Sequence, residues 1–116
     1  MIEKILSNGK LHITEEVLAI ITLLAIEDVE GIAKSVSGIK DDIFGVLKPN
    51  YTKKGISIEN DKDGVEINIK ISVYFENNVV EICEKLQHLV AQEIYAMTGV
   101  SIKNINIKVD QIIKAS

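Results

Sequence analysis

The chain has 116 residues, enough for one domain spanning residues 1–116 with its own core. Hydrophobic residues make up 47% and charged residues 26%, with a single proline, a composition that excludes an extended disordered chain. The formal net charge is −4 and all 13 basic residues are lysine, which weighs against nucleic acid and acidic lipid surfaces as partners because the arginine fork that clamps phosphates and guanine edges is missing.

Lys10-Leu11-His12-Ile13 alternates after Gly9 and predicts a short strand. Thr14, followed by Glu15 and Glu16, marks the start of a helix that runs to about Glu27: the threonine oxygen suits an N-cap and the carboxylates suit the positive end of the helix dipole. At 100° per residue this helix carries two apolar stripes. Val17, Ile20, Ile21 and Leu24 form one, and Ala19, Leu23 and Ile26 lie nearly opposite. A helix apolar all round has to be covered twice, so the second stripe is a candidate interaction surface, covered either by a short helix over residues 39–47 or by another chain.

That short helix is expected from the spacing of Ile39, Ile43, Phe44 and Leu47, with Pro49 ending it. Gly31, Gly38 and Gly45 lack the spacing of a phosphate-binding loop and read as turn or helix positions. Asp61-Lys62-Asp63-Gly64 joins two alternating runs as a hairpin turn, and in the second run Val65, Ile67, Ile69, Ile71, Val73 and Phe75 share one face. Asn77 or Asn78 caps a long helix whose apolar positions run from Val79 through Ile82, Cys83, Leu86, Leu89, Val90 and Ile94 to Met97, and Gly99 closes it. A last strand buries Ile105, Ile107 and Val109 and exposes Asn104, Asn106 and Lys108.

The predicted fold class is therefore α+β, a two-layer sandwich with a mainly antiparallel sheet and helices on one face. Its order is β-α-(short α)-β-β-α-β, that of a split βαβ arrangement.

No reactive constellation emerges. Cys83 falls on an apolar helical stripe, where free cysteine is usually an inert small hydrophobe, and His12 and His88 have no partner at ligand spacing. Asp41 with Asp42 and Asp61 with Asp63 suit a helix start and a turn better than a cation site. The expectation is a protein that is no enzyme, with no catalytic residues, cofactor or metal. The polar sheet face, with Lys70, Lys103, Lys108, Asn68, Asn104, Asn106 and Tyr74, offers an alternative reading as an RNA-binding module, for which Tyr74 is the one stacking aromatic. A single cysteine fits a reducing compartment, and the N-terminus lacks the pattern of a secretory signal. The apolar run over residues 17–26 is about half a membrane span, so no direct membrane insertion is expected and the expected location is cytoplasmic.

With these residues in place, the chain resembles the alkaline shock protein family of Gram-positive bacteria, also called the envelope stress response family. The resemblance runs from about Gly9 to Val109 and rests on Val29-Glu30-Gly31-Ile32-Ala33 after the first helix, Lys54-Gly55-Ile56 at the hairpin, and Met97-Thr98-Gly99 before the last strand. It implies a non-enzymatic interaction or scaffold protein of envelope stress response or homeostasis, cytoplasmic and peripheral to the membrane. It also implies self-association and a membrane-anchored protein partner. The family supplies no agreed catalytic or ligand residues. Its pattern has glycine after the aromatic residue that ends the long strand, where this chain has Glu76.

Overall fold

The structure, a computed structural model, describes residues 2–33 and 55–114. Asp41, Asp42 and the short helix expected over residues 39–47 lie outside the described residues. The elements are β1 (Ile2–Leu6), β2 (Gly9–Ile13), α1 (Glu15–Asp28), β3 (Ile32–Ala33), β4 (Ile56–Asp61), β5 (Gly64–Tyr74), α2 (Val79–Thr98) and β6 (Ile102–Ile113).

β5 is the centre of the main sheet. β4 runs antiparallel to it from Ile56 opposite Ile69 to Asp61 opposite Gly64, so Lys62 and Asp63 form a two-residue hairpin loop. Asp61 Oδ1 accepts the Asp63 amide at 2.8 Å, the local bond that favours aspartate at such turns. β3 continues the same edge further along, with Ile32 opposite Val73 and Ala33 opposite Ser72. The Gly55 carbonyl accepts the Lys70 amide at 2.8 Å, so Ala33 and Gly55 stand along one nearly continuous edge of β5. β6 lies along the other side of β5 and is parallel to it, reached through α2.

Two expectations need correction. The βαβ unit is not split, since β6 pairs directly with β5 and no strand lies between them. The strand that would have been inserted there, β2, instead forms a separate antiparallel hairpin with β1, in which Ile2 faces Ile13 and Leu6 faces Gly9. Residues 2–6 do not alternate, since Glu3 and Lys4 separate Ile2 from Ile5 and Leu6, and the local signal for the hairpin is the pair of turn-forming residues Ser7 and Asn8 that joins Leu6 to Gly9. The second correction concerns Thr14. It occupies the N-cap position with extended backbone, but its side chain makes no capping bond.

The core follows the period-two pattern of β5. Val65, Ile67, Ile69, Ile71 and Val73 are buried, each stabilising the fold by roughly 1.5–3 kcal/mol through side-chain burial. Phe75, in phase with them, lies beyond the strand and is exposed. α2 contributes Ile82, Leu86, Val90 and Ile94, one residue per turn on one line. Asn78 caps its start by accepting the Glu81 amide at 3.1 Å, and Gly99 ends it in the left-handed conformation. α1 packs against both α2 and β4. Its one buried polar side chain, Thr22, donates to the Leu18 carbonyl at 2.8 Å, so the buried hydroxyl is satisfied within the helix.

Candidate functional site: a groove between the two helices

The two stripes of α1 are assigned by packing. Ala19, Leu23 and Ile26, the stripe predicted as an interaction surface, are 0%, 2% and 7% exposed and belong to the core. The apolar surface that α1 presents outward is on the opposite side, where Val17 and Leu24 are 40% and 38% exposed. The sequence held no signal for this orientation, because Asp28 stands four residues after Leu24 on the outward stripe and Glu27 stands four residues after Leu23 on the inward one.

This outward stripe and α2 form a groove of about 360 Å³. Val17, Ile20 and Leu24 line it from α1, with Asp28 at one end, and α2 adds Glu93 and Met97. Met97, expected on the core stripe of α2, is 69% exposed. Among the described residues no basic side chain lines the groove, and neither Asp28 nor Glu93 forms an ion pair. The last turn of α1 carries Glu27 and Asp28 and no base, so two carboxylates sit at the negative end of the helix dipole. The matching end of α2 is treated differently: Lys4 Nζ donates to the Gly99 carbonyl at 2.7 Å.

The side chains with reactive potential are kept apart. His12 is on the β1–β2 hairpin with Nδ1 3.5 Å from a Glu3 carboxylate oxygen. His88 lies on the outer side of α2 beside Tyr95 and Ser101. Cys83 packs against the core, and burial pushes its thiol up from the ordinary value. Among the described residues no cluster of histidine, cysteine and carboxylates has the makings of a metal site.

The polar face of the sheet is largely bonded to itself. Asn106 Nδ2 donates to Glu66 Oε1 at 2.8 Å and to Asn68 Oδ1 at 3.0 Å, and Ser72 Oγ donates to Asp110 at 3.4 Å. Lys70 and Lys108 are register partners across β5 and β6 and flank a shallow depression of about 410 Å³ beside Gly55. Lys103 stands apart from them, 3.9 Å from Asp61 at the hairpin turn.

These features define a small two-layer α+β domain whose described residues gather no reactive cluster. The chain belongs to the alkaline shock protein family, described as having a cell envelope-related function, and the family match covers residues 3–114. It is similar to the uncharacterized protein YqhY of Bacillus subtilis, 29% identical over 101 residues that make up 87% of this chain and 75% of the relative. It is also similar to a stress response regulator gls24 homolog of Streptococcus pyogenes, 26% identical over 107 residues, 88% of this chain but only 58% of the relative. A third relative, the uncharacterized protein YloU of Bacillus subtilis, is 24% identical over 103 residues, 87% of this chain and 86% of its own length. No solved structure gives a significant match. The resemblance drawn from the sequence is thereby upheld, and with it the link to the cell envelope.

Proposed function

We propose that this protein is a non-enzymatic interaction protein of the cell-envelope stress response, working on the cytoplasmic side of the membrane through contacts with other proteins. The observation that carries this reading is membership of a family with cell envelope-related function, together with a relative named as a stress response regulator. Two structural features support it. The groove between α1 and α2 leaves apolar surface uncovered, and the β1–β2 hairpin holds Ile5, Leu6 and Leu11 out to solvent, with Ile5 82% exposed. A lone two-stranded hairpin is marginal in water, so an apolar hairpin of this kind gains from a second copy, which supports self-association. Among the described residues no helix is long and apolar enough to cross a membrane, and this reading assigns attachment to the envelope to a membrane-anchored protein partner.

Crosslinking in the producing cell, followed by identification of the products, tests the reading. The expected products are the chain with itself and the chain with a membrane-spanning protein. Capture of soluble enzymes alone would refute it, and salt-sensitive capture of RNA from positions around Lys70 would favour the polar sheet face instead.

A further inference from the structure

We propose that the groove between α1 and α2 is the docking site for an amphipathic helix, contributed by another protein, whose apolar stripe is flanked by lysine or arginine. This deepens the reading of the protein as a maker of protein contacts and rests on it. The stripe from Val17 to Asp28 is about 16 Å long at 1.5 Å per residue, the span of three turns of a partner helix. Helices laid into grooves anchor through positions i, i+3, i+4 and i+7, and Val17, Ile20 and Leu24 with Met97 offer them an apolar floor.

Charge sets the sign of the partner. Among the described residues the groove is lined by Asp28 and Glu93 and by no base, and neither carboxylate is ion-paired. Glu27 and Asp28 also stand against the negative end of the α1 dipole, an arrangement unfavourable in the free domain and relieved by a cation placed there. The same charges disfavour a second copy in this groove. A two-fold contact would bring the Asp28 and Glu93 carboxylates of both copies into one interface, and α1 has four carboxylates and no base to offset them.

The test uses the full chain and two labelled synthetic peptides. Each is a three-turn amphipathic helix with leucine anchors, one flanked by lysines and the other by glutamates, and binding is followed by fluorescence anisotropy. The lysine peptide is expected to bind roughly tenfold more tightly than its counterpart and to weaken as salt is raised. Asp28→Lys and Glu93→Lys should each weaken it by about tenfold or more, and Leu24→Asp should abolish binding. Asp28→Lys should also melt at a higher temperature than the parent, so its lost binding cannot come from unfolding.

Equal binding of the two peptides, no binding of the lysine peptide, or unchanged binding in both Asp28→Lys and Leu24→Asp would overturn the proposal. So would a dimer that Leu24→Asp dissociates, which would give the groove to a second copy. Binding that appears only when residues 34–54 are removed would give it to the chain itself, with the same consequence. In cells, photo-crosslinkers at Leu24, Ile5 and Lys70 separate this proposal from the broader one. A protein partner captured from Ile5 or Lys70 but not from Leu24 removes the groove and leaves the interaction reading, whereas no protein captured from any of the three removes both.

Discussion

Glu76 stands at φ 78°, the one described residue other than glycine with positive φ, in the connection from β5 to α2. Its side chain is exposed and makes no hydrogen bond or ion pair among the described residues, so the position is set by backbone geometry. For an L-residue the left-handed conformation costs roughly 1–2 kcal/mol through crowding of Cβ against the carbonyl. Glycine removes that cost but gives back roughly 0.5–1 kcal/mol through the greater freedom of its unfolded chain. Glu76→Gly should therefore stabilise the domain by about 0.5–1 kcal/mol. In urea this is a midpoint increase of a few tenths of a molar at an unchanged slope, and in a melt it is a rise of roughly 2–5 °C. Glu76→Asn should gain part of this, because asparagine tolerates the conformation, while Glu76→Ala should gain nothing. Equal stabilisation by alanine and glycine would show that loss of the carboxylate, and not the dihedral angle, was responsible. A fall in midpoint for Glu76→Gly would show that the reasoning is wrong outright.

Other outcomes follow from the packing. Leu23→Ala should cost about 2–5 kcal/mol by leaving a cavity in the core, whereas Leu24→Ala, one residue away on the groove side, should cost less than about 1 kcal/mol; paired urea titrations read the contrast, and similar costs would invert the assignment of the two α1 faces. Gly55→Ala should destabilise by about 2–3 kcal/mol, since φ is 89° and a Cβ would stand 2.7 Å from the Lys70 carbonyl oxygen; an unchanged melting temperature would refute this. Asp28→Lys should stabilise the isolated domain by about 0.3–1 kcal/mol by placing a cation at the negative end of α1, and a lower urea midpoint would contradict it. Cys83, whose thiol is raised by burial, has less thiolate at neutral pH than a free cysteine. Alkylation of the folded chain should thus be slower than that of the urea-unfolded chain at pH 7, with the two rates converging only well into the alkaline range. Equal rates at pH 7 would show that the thiol is not shielded.

Most of the main sheet was legible because its signals are local. β5 announces its dry face by alternation from Val65 to Val73, the β4–β5 turn is written in Asp61-Lys62-Asp63-Gly64, and α2 is bounded by Asn78 and Gly99. β1 was not legible, because Ile2-Glu3-Lys4-Ile5-Leu6 has no period-two alternation and only the turn-forming Ser7 and Asn8 after it hint at a hairpin. The partner of β6 was not legible. A strand with half-buried Ile105, Ile107 and Val109 pairs equally well with β5 or with an inserted strand as far as its own residues tell.

The candidate site divides in the same way. Composition and periodicity were enough to predict a helix apolar on two sides and to place Cys83 on an apolar stripe of α2. Which side of α1 faces the core depends on the energy of burial against β4 and α2, residues far away in the chain, and two stripes of similar hydrophobicity carry no local difference to decide it. The tertiary contacts buried Ala19, Leu23 and Ile26 and turned Val17 and Leu24 outward toward Glu93 and Met97. The groove and its acidic rim therefore exist only once the two helices are packed together, because its walls come from segments that lie far apart in the chain.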